Sequence, residues 1–203
     1  MDLYIRENYL KKIRGFYHAD DLIKVITGVR RSGKSSLMQM IADELKSSGI
    51  PESQIIYFDL DKREYRNVVT ADKLEALIMS KCVTDEMKYL FIDEVQNVKD
   101  FETVLNGFRT EGNWSIFITG SNSYLLSGEL VTKLTGSYIE FEIFPLNFLE
   151  YEGMKAFFGK PINSNPMIEL TNYILEGGFP RAILFDDMAD KRKYVQGVVS
   201  EIF

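Results

Sequence analysis

The stretch "GVRRSGKSS", residues 28–36, stands between the apolar run "LIKVIT" (22–27) and the helical pattern "LMQMIADEL" (37–45). Gly28, Gly33, Lys34 and Ser35 fit G-x-x-x-x-G-K-[ST], with a strand pattern before and a helix pattern after. Each residue type has a physical reason. Glycines let backbone N–H groups turn inward around phosphate oxygens, a lysine brings a point charge to the outer phosphates, and a serine hydroxyl ligates Mg²⁺. A helix that opens at the lysine adds the positive end of its dipole. Gly28, Val29, Arg30, Arg31, Ser32, Gly33, Lys34, Ser35 and Ser36 are therefore the predicted phosphate-binding segment, with Ser35 as a metal ligand. Arg30 and Arg31 raise the positive potential there or point at solvent.

A phosphate site that uses Mg²⁺ needs an acid at the end of a neighbouring strand, because Mg²⁺ keeps several waters and takes only one or two carboxylates. "YLFIDEV" (89–95) supplies Asp93 at the end of an apolar run, with Glu94 directly after it. The interval from Lys34 to Asp93 is 93 − 34 = 59 residues, room for a helix, a strand and a second helix. Asp93 is the predicted metal ligand. Glu94 is the predicted general base toward the attacking water, a role that contributes ~10²- to 10⁴-fold. "FITGSNS" (117–123) ends another strand, where Ser121 and Asn122 are candidates to read the terminal phosphate; the alternative is a helix N-cap, which Ser123 also offers. Asp59 and Asp61 could position the acceptor of a P-loop kinase, but a solvated turn explains them as well and that reading leaves Glu94 without a role. No Asn-Lys-x-Asp guanine reader is present.

Outward from these motifs, five β-branched or aromatic runs alternate with helical periodicity: 23–28, 55–60, 89–95, 115–121 and 138–144. Several are apolar almost throughout, as strands buried on both faces must be. Leu37, Ile41 and Leu45 form one helical stripe, and Phe101, Val104, Leu105 and Phe108 another, with Thr70 and Asp100 placed as helix caps. From Pro145 onward the composition turns helical. The expected organisation is a sheet domain over 1–146 and a small helical lid over 147–203. The last helical pattern still runs at Phe203 without a stop signal, so a longer polypeptide is expected.

Bulk composition narrows the classes. The 203 residues carry 24 basic and 30 acidic side chains, net −6, and 45% are hydrophobic, as in an ordinary globular protein. The basic clusters "LKKIR" (10–14) and "DKRKY" (190–194) read as solvated helix faces. One cysteine, Cys82, rules out an intrachain disulfide, and one histidine, His18, rules out a Ser-His-Asp triad and a zinc-binding His pair within this sequence. No run approaches the ~20 apolar residues of a membrane-spanning helix and no signal peptide is evident, so a cytoplasmic location is expected.

"IKVITGVRRSGKSSLM", "YLFIDEVQNV", "IFITGSNSYLLSGEL", "YIEFEIFPLNFLEY" and "YILEGGFPRAI", in this order, resemble the AAA-type predicted P-loop ATPases of archaea and bacteria that usually carry a further C-terminal domain. The resemblance implies an α/β P-loop NTPase of the additional-strand type, five parallel strands in order 5-1-4-3-2, with ATP and Mg²⁺ as ligands. It implies that residues 28–36 bind ATP, that Asp93 holds Mg²⁺ and that Glu94 is catalytic. "GGFPRA" (177–182) is similar to a lid segment whose arginine contacts the γ-phosphate, a role that falls on Arg181. The family often has an arginine where this sequence has Ser137, which puts ring-type catalysis by a neighbouring subunit in doubt, since an arginine finger contributes ~10³- to 10⁵-fold. The resulting expectation is a Mg²⁺-dependent ATPase. A slow-turnover ATP switch and a DNA-associated ATPase are the alternatives, and a homo-oligomer, a DNA or protein partner and the missing C-terminal domain stay open as partners. Adenine contacts are expected around 4–11 or 16–20, where nothing in the sequence is specific.

Overall fold

A computed structural model describes residues 3–120, 134 and 136–202. Helix α1 (Glu7–Ile13) leads into β1 (Ile23–Gly28), α2 (Lys34–Ser47), β2 (Ile55–Asp59), α3 (Ala71–Lys81), β3 (Lys88–Asp93), α4 (Phe101–Glu111), β4 (Trp114–Thr119) and β5 (Tyr138–Ile143). Helices α5 (Phe148–Phe157), α6 (Pro166–Glu176) and α7 (Met188–Ile202) follow, with a short 3₁₀ turn over Pro180–Leu184. None of the helices among the described residues is long and apolar enough to cross a membrane.

The five strands form one parallel sheet in the order β2-β3-β4-β1-β5, the order expected from the family resemblance. Position in the sheet explains the strand sequences. The three inner strands β1, β3 and β4 are buried at every residue, whereas edge strand β2 alternates between buried and half-buried. Parallel register aligns Lys24, Phe117, Phe91 and Tyr57 in one row across four strands. Phe91 stacks on Phe117 at 4.7 Å and on Tyr57 at 5.7 Å, and the Lys24 ammonium lies 4.7 Å from the Phe117 ring centroid. Lys24 is fully buried; it donates to the carbonyls of Ala19 and Leu22 and to Ser115 Oγ, and burial pushes its pKa down to about 7.

The predicted stripes on α2 and α4 face the core: Leu37, Ile41 and Leu45 are buried, as are Phe101, Val104, Leu105 and Phe108. The expected side-chain caps are not made. Thr70 has extended backbone, bridges in parallel to Lys99 and makes no side-chain cap bond. Asp100 sits in the left-handed region, at φ 57°, and also makes no side-chain cap bond.

The chain forms two compact units. One comprises Glu7–Thr27 and Ser35–Glu142, the other Met1–Arg6, Gly28–Lys34 and Ile143–Phe203. In the latter, α5 opens with a full capping box between Asn147 and Glu150, and α6 with Asn165 as cap and Pro166 in the first turn. Its interior is unusually polar. Tyr151 donates to Glu176 at 2.9 Å, Lys191 pairs with Glu176 at 2.7 Å, and Lys155 pairs with Glu169, which is fully buried. Lys191, read from "DKRKY" as part of a solvated face, is thus buried instead. Its neighbours Arg192 and Lys193 are exposed.

Candidate functional site

Residues 28–34 build a turn whose shape depends on two glycines. Gly28 has φ 143°, and a Cβ there would lie 2.2 Å from the Ile143 carbonyl oxygen and 3.0 Å from Ser32 Oγ. The first glycine of the motif is therefore required by the close approach of β5 as well as by the loop. Gly33 has φ 106°, a conformation few side chains tolerate. Between them Arg31 adopts φ 65°, and the Ser32 N–H donates to Val29 O at 3.2 Å. The Lys34 side chain folds back over the turn, donating to Gly28 O at 2.9 Å and Val29 O at 3.3 Å. Ser32 Oγ is buried and has no hydrogen-bond partner among the described residues. Ser35, on the first turn of α2, is exposed, and Ser36 is half-buried.

Arg30 and Arg31 do not simply decorate the loop. Both pair with Glu201 on α7, at 3.6 and 3.0 Å, and the Arg31 guanidinium lies 5.4 Å from the Tyr194 ring centroid. Arg6, from the segment read as a source of adenine contacts, is 4% exposed and donates through Nη1 to the Ser32 carbonyl at 2.9 Å. Its other nitrogens grip Glu150, Nε on Oε1 at 3.0 Å and Nη2 on Oε2 at 2.8 Å.

In the sheet, register places Asp59 opposite Asp93, and the pairing of Ile92 with Ile118 puts Thr119 beside Asp93. Thr119 spends its hydroxyl on both acidic residues. It donates to Asp93 Oδ1 and accepts the Glu94 N–H at 3.0 Å. Glu94 has left-handed backbone, φ 56° and ψ 48°, so the chain turns sharply directly after the strand. Gln96 Nε2 donates to Glu94 Oε2. Asp93 is 3% exposed and Glu94 half-buried. Burial, then the charges of Asp93 and Asp59, raise the Tyr57 phenol above its usual range. Thr119 was missed by motif reading, since its role depends on which strand neighbours β3.

Asp59 and Asp61 belong to a turn: Asp59 Oδ1 accepts the Asp61 N–H at 3.2 Å and Asp61 accepts from Asn97 at 3.1 Å. Arg181 is exposed on the 3₁₀ turn. The preceding Pro180 lies near the loop, 3.9 Å from where a Gly33 Cβ would be. Ser121 and Asn122, like Ser123, lie outside the described residues. Ser137 accepts the Ile23 N–H at 3.0 Å, at the amino end of β1, so an arginine there would stand at the opposite end of that strand from Gly28. Among the described residues no three His, Cys, Asp or Glu side chains cluster as a metal cage. The oxygen donors of Asp93 and Ser35 suit a hard cation that keeps most of its water, which fits Mg²⁺.

A family model described as an AAA domain matches residues 20–152. An uncharacterized protein of Haemophilus influenzae is 38% identical over 201 residues, covering 97% of this chain and 48% of that protein. One from Methanocaldococcus jannaschii is 35% identical over 187 residues, covering 89% and 41%. The chain thus spans less than half the length of these curated relatives. Among solved structures, AMPPCP-bound DnaA from Aquifex aeolicus is similar with a TM-score of 0.58 at 19% identity, over 94% of this chain and 60% of that one. The ADP complex of S. cerevisiae Hsp104 has a TM-score of 0.62 at 15% identity, over 91% and 30%. At such identities the two structures speak for the fold alone. The family match and the relatives carry the assignment: this chain belongs to the AAA-type P-loop ATPase family.

Proposed function

We propose that the protein binds ATP through residues 28–36 and hydrolyses it with Mg²⁺, using the energy of binding and turnover to gate a conformational change. The observation that carries this reading is the separate partnering of the two acids, Asp93 held by the Thr119 hydroxyl and the Glu94 carboxylate by Gln96. Two adjacent acids thereby receive two jobs. Asp93 and the Ser35 hydroxyl would hold Mg²⁺, which when bound neutralises charge on the outer phosphates. Glu94 would accept the proton of the attacking water, and Gln96 holds its carboxylate in place. The inward N–H groups of the loop and Lys34 would bear the β- and γ-phosphates. For Lys34 this means exchanging the carbonyls of Gly28 and Val29 for phosphate oxygens. Arg181 is the proposed γ-phosphate contact, and Ser121 or Asn122 the proposed reader of the attacking water.

Glu94→Gln tests the assignment: ATP should bind with near-parent affinity while turnover falls ~10²- to 10⁴-fold. Hydrolysis at the parent rate would remove Glu94 from the mechanism. A second reading, a slow-turnover ATP switch, is favoured by the Glu201 pairs to Arg30 and Arg31, which tie the end of α7 to the phosphate loop. A turnover number below about one per minute, with tight ATP retention, would select it over the typical enzyme range.

A further inference from the structure

We infer that Arg6 is a positioning residue for the phosphate loop, aiming the Gly33 N–H, and that Glu150 sets the aim of Arg6. This deepens the proposed ATP site and depends on residues 28–36 being that site. The physics begins with the peptide between Ser32 and Gly33. In a trans peptide the carbonyl and the following N–H point in opposite directions. Whatever holds the Ser32 carbonyl therefore decides where the Gly33 N–H points.

Glycine gives that plane little resistance to rotation, because no Cβ restricts its torsions. The motif needs the glycine and also needs its amide fixed. Arg6 supplies the constraint: one nitrogen, Nη1, donates both to Ser32 O at 2.9 Å and to Phe144 O at 3.0 Å. Ser32 and Arg6 are 0% and 4% exposed, so water does not compete strongly for this contact. With the guanidinium on the carbonyl side, the Gly33 amide is turned to the other side. A cation on the carbonyl also polarises the peptide and strengthens its N–H as a donor to an anion.

The guanidinium is itself held as a rigid fork. Glu150 takes Nε and Nη2 in a bidentate pair, and its Oε2 also accepts the Asn147 N–H at 3.0 Å, inside the capping box of α5. The loop is thus referenced to the start of α5 through a single buried side chain. A lysine at position 6 has three donors on one nitrogen and no planar fork, so it cannot reproduce the bidentate grip on Glu150 while also reaching both carbonyls.

The test measures ATP affinity, and the inhibition constant of inorganic pyrophosphate as a competitor, for the parent, Arg6→Lys, Arg6→Met and Glu150→Gln. All are measured well below each protein's own melting temperature. Losing an aimed, charge-assisted contact predicts ATP binding weaker by about 10- to 100-fold in Arg6→Met, with Arg6→Lys between it and the parent and Glu150→Gln affected in the same direction. Pyrophosphate should weaken by the same factor as ATP, because the defect lies in the grip on phosphate. A purely structural role would lower the melting temperature and leave both constants of the folded protein unchanged; that result overturns the inference. If Arg6→Met does not fold, Arg6→Lys and Glu150→Gln decide by the same criterion. Failure of the underlying ATP reading looks different: the parent itself would bind neither ATP nor pyrophosphate.

Discussion

In the sheet unit Phe91, Phe117, Ile116 and Ile118 are all 0% exposed and belong to a mainly apolar interior in which Lys24 is a fully buried charge. In the helical unit Leu146, Ile183 and Val198 share the interior with Glu169 at 0%, Tyr151 at 0% and Lys155 at 5%, while Leu149 and Ile174 are 75% and 70% exposed. The two regions use different rules for a specified interior. Apolar packing asks for volume and shape, and it tolerates a swap that conserves both. A buried charged network asks for complete partnering, because one lost partner strands the other in a medium that cannot solvate it.

The largest expected effects break one partner in each region. Phe91→Ala and Glu169→Ala should each cost about 3–5 kcal/mol in urea denaturation, the first by leaving a cavity and the second by leaving Lys155 unpaired. Conservative apolar repair then separates them. Phe91→Leu should cost about 1 kcal/mol, whereas Lys155→Met combined with Glu169→Leu should recover most of the Glu169→Ala loss. A double variant as unstable as Glu169→Ala would mean that the network determines the helical fold beyond satisfying its own charges.

pH sharpens the contrast. Burial raises the Glu169 carboxyl, but Lys155, the Asn163 N–H and Asn172 outweigh it and hold the group below its usual value. Stability from Glu169 is therefore complete above the unfolded carboxylate pKa and is lost as pH falls through the folded one. Lys24 in the sheet does the reverse of an ordinary paired lysine. Its folded pKa of about 7 lies below the ordinary lysine value of 10.5, so the unfolded chain binds more protons between these limits and stability rises with pH across that window. The charges of Asp21 and Asp20 oppose the shift, and the net gain across the window is on the order of a few kcal/mol. Lys24→Met should flatten the profile between pH 7 and 10, measured by chemical denaturation at each pH. An unchanged slope would assign the pH dependence to other groups.

The smallest expected effect on stability comes from the polar contact at the sheet's acidic end. Thr119→Val should lower ATP turnover by about 10-fold while Thr119→Ser keeps most of it, since the hydroxyl orients Asp93 and Glu94. Equal turnover in Thr119→Val would make that bridge incidental.

Much of the sheet was legible because its signals are local: an apolar run, a glycine turn, an acid at a strand end. The five strands fall where the runs predict them, and the family resemblance supplied their order. The contacts that arrange the candidate site are non-local. Arg6 finds partners 26, 138 and 144 residues away, and Thr119 meets Asp93 only because β4 lies next to β3. Lys191 shows a second limit. Within "DKRKY" it looks like its neighbours, and only the turn of α7 that points toward Glu176 distinguishes it. Thr70 and Asp100 occupy cap positions but make no side-chain cap bond, a detail that composition does not encode.

In the proposed function the turn at 28–34 receives the phosphates of ATP. Calorimetric titration of ATP with Mg²⁺ into the parent protein and Lys34→Ala tests it most directly, with melting curves to establish that both are folded. Saturable one-to-one binding by the parent, weakened at least about 100-fold by Lys34→Ala, is the expected result. Equal affinity in the two folded proteins, or no binding by the parent, would contradict it.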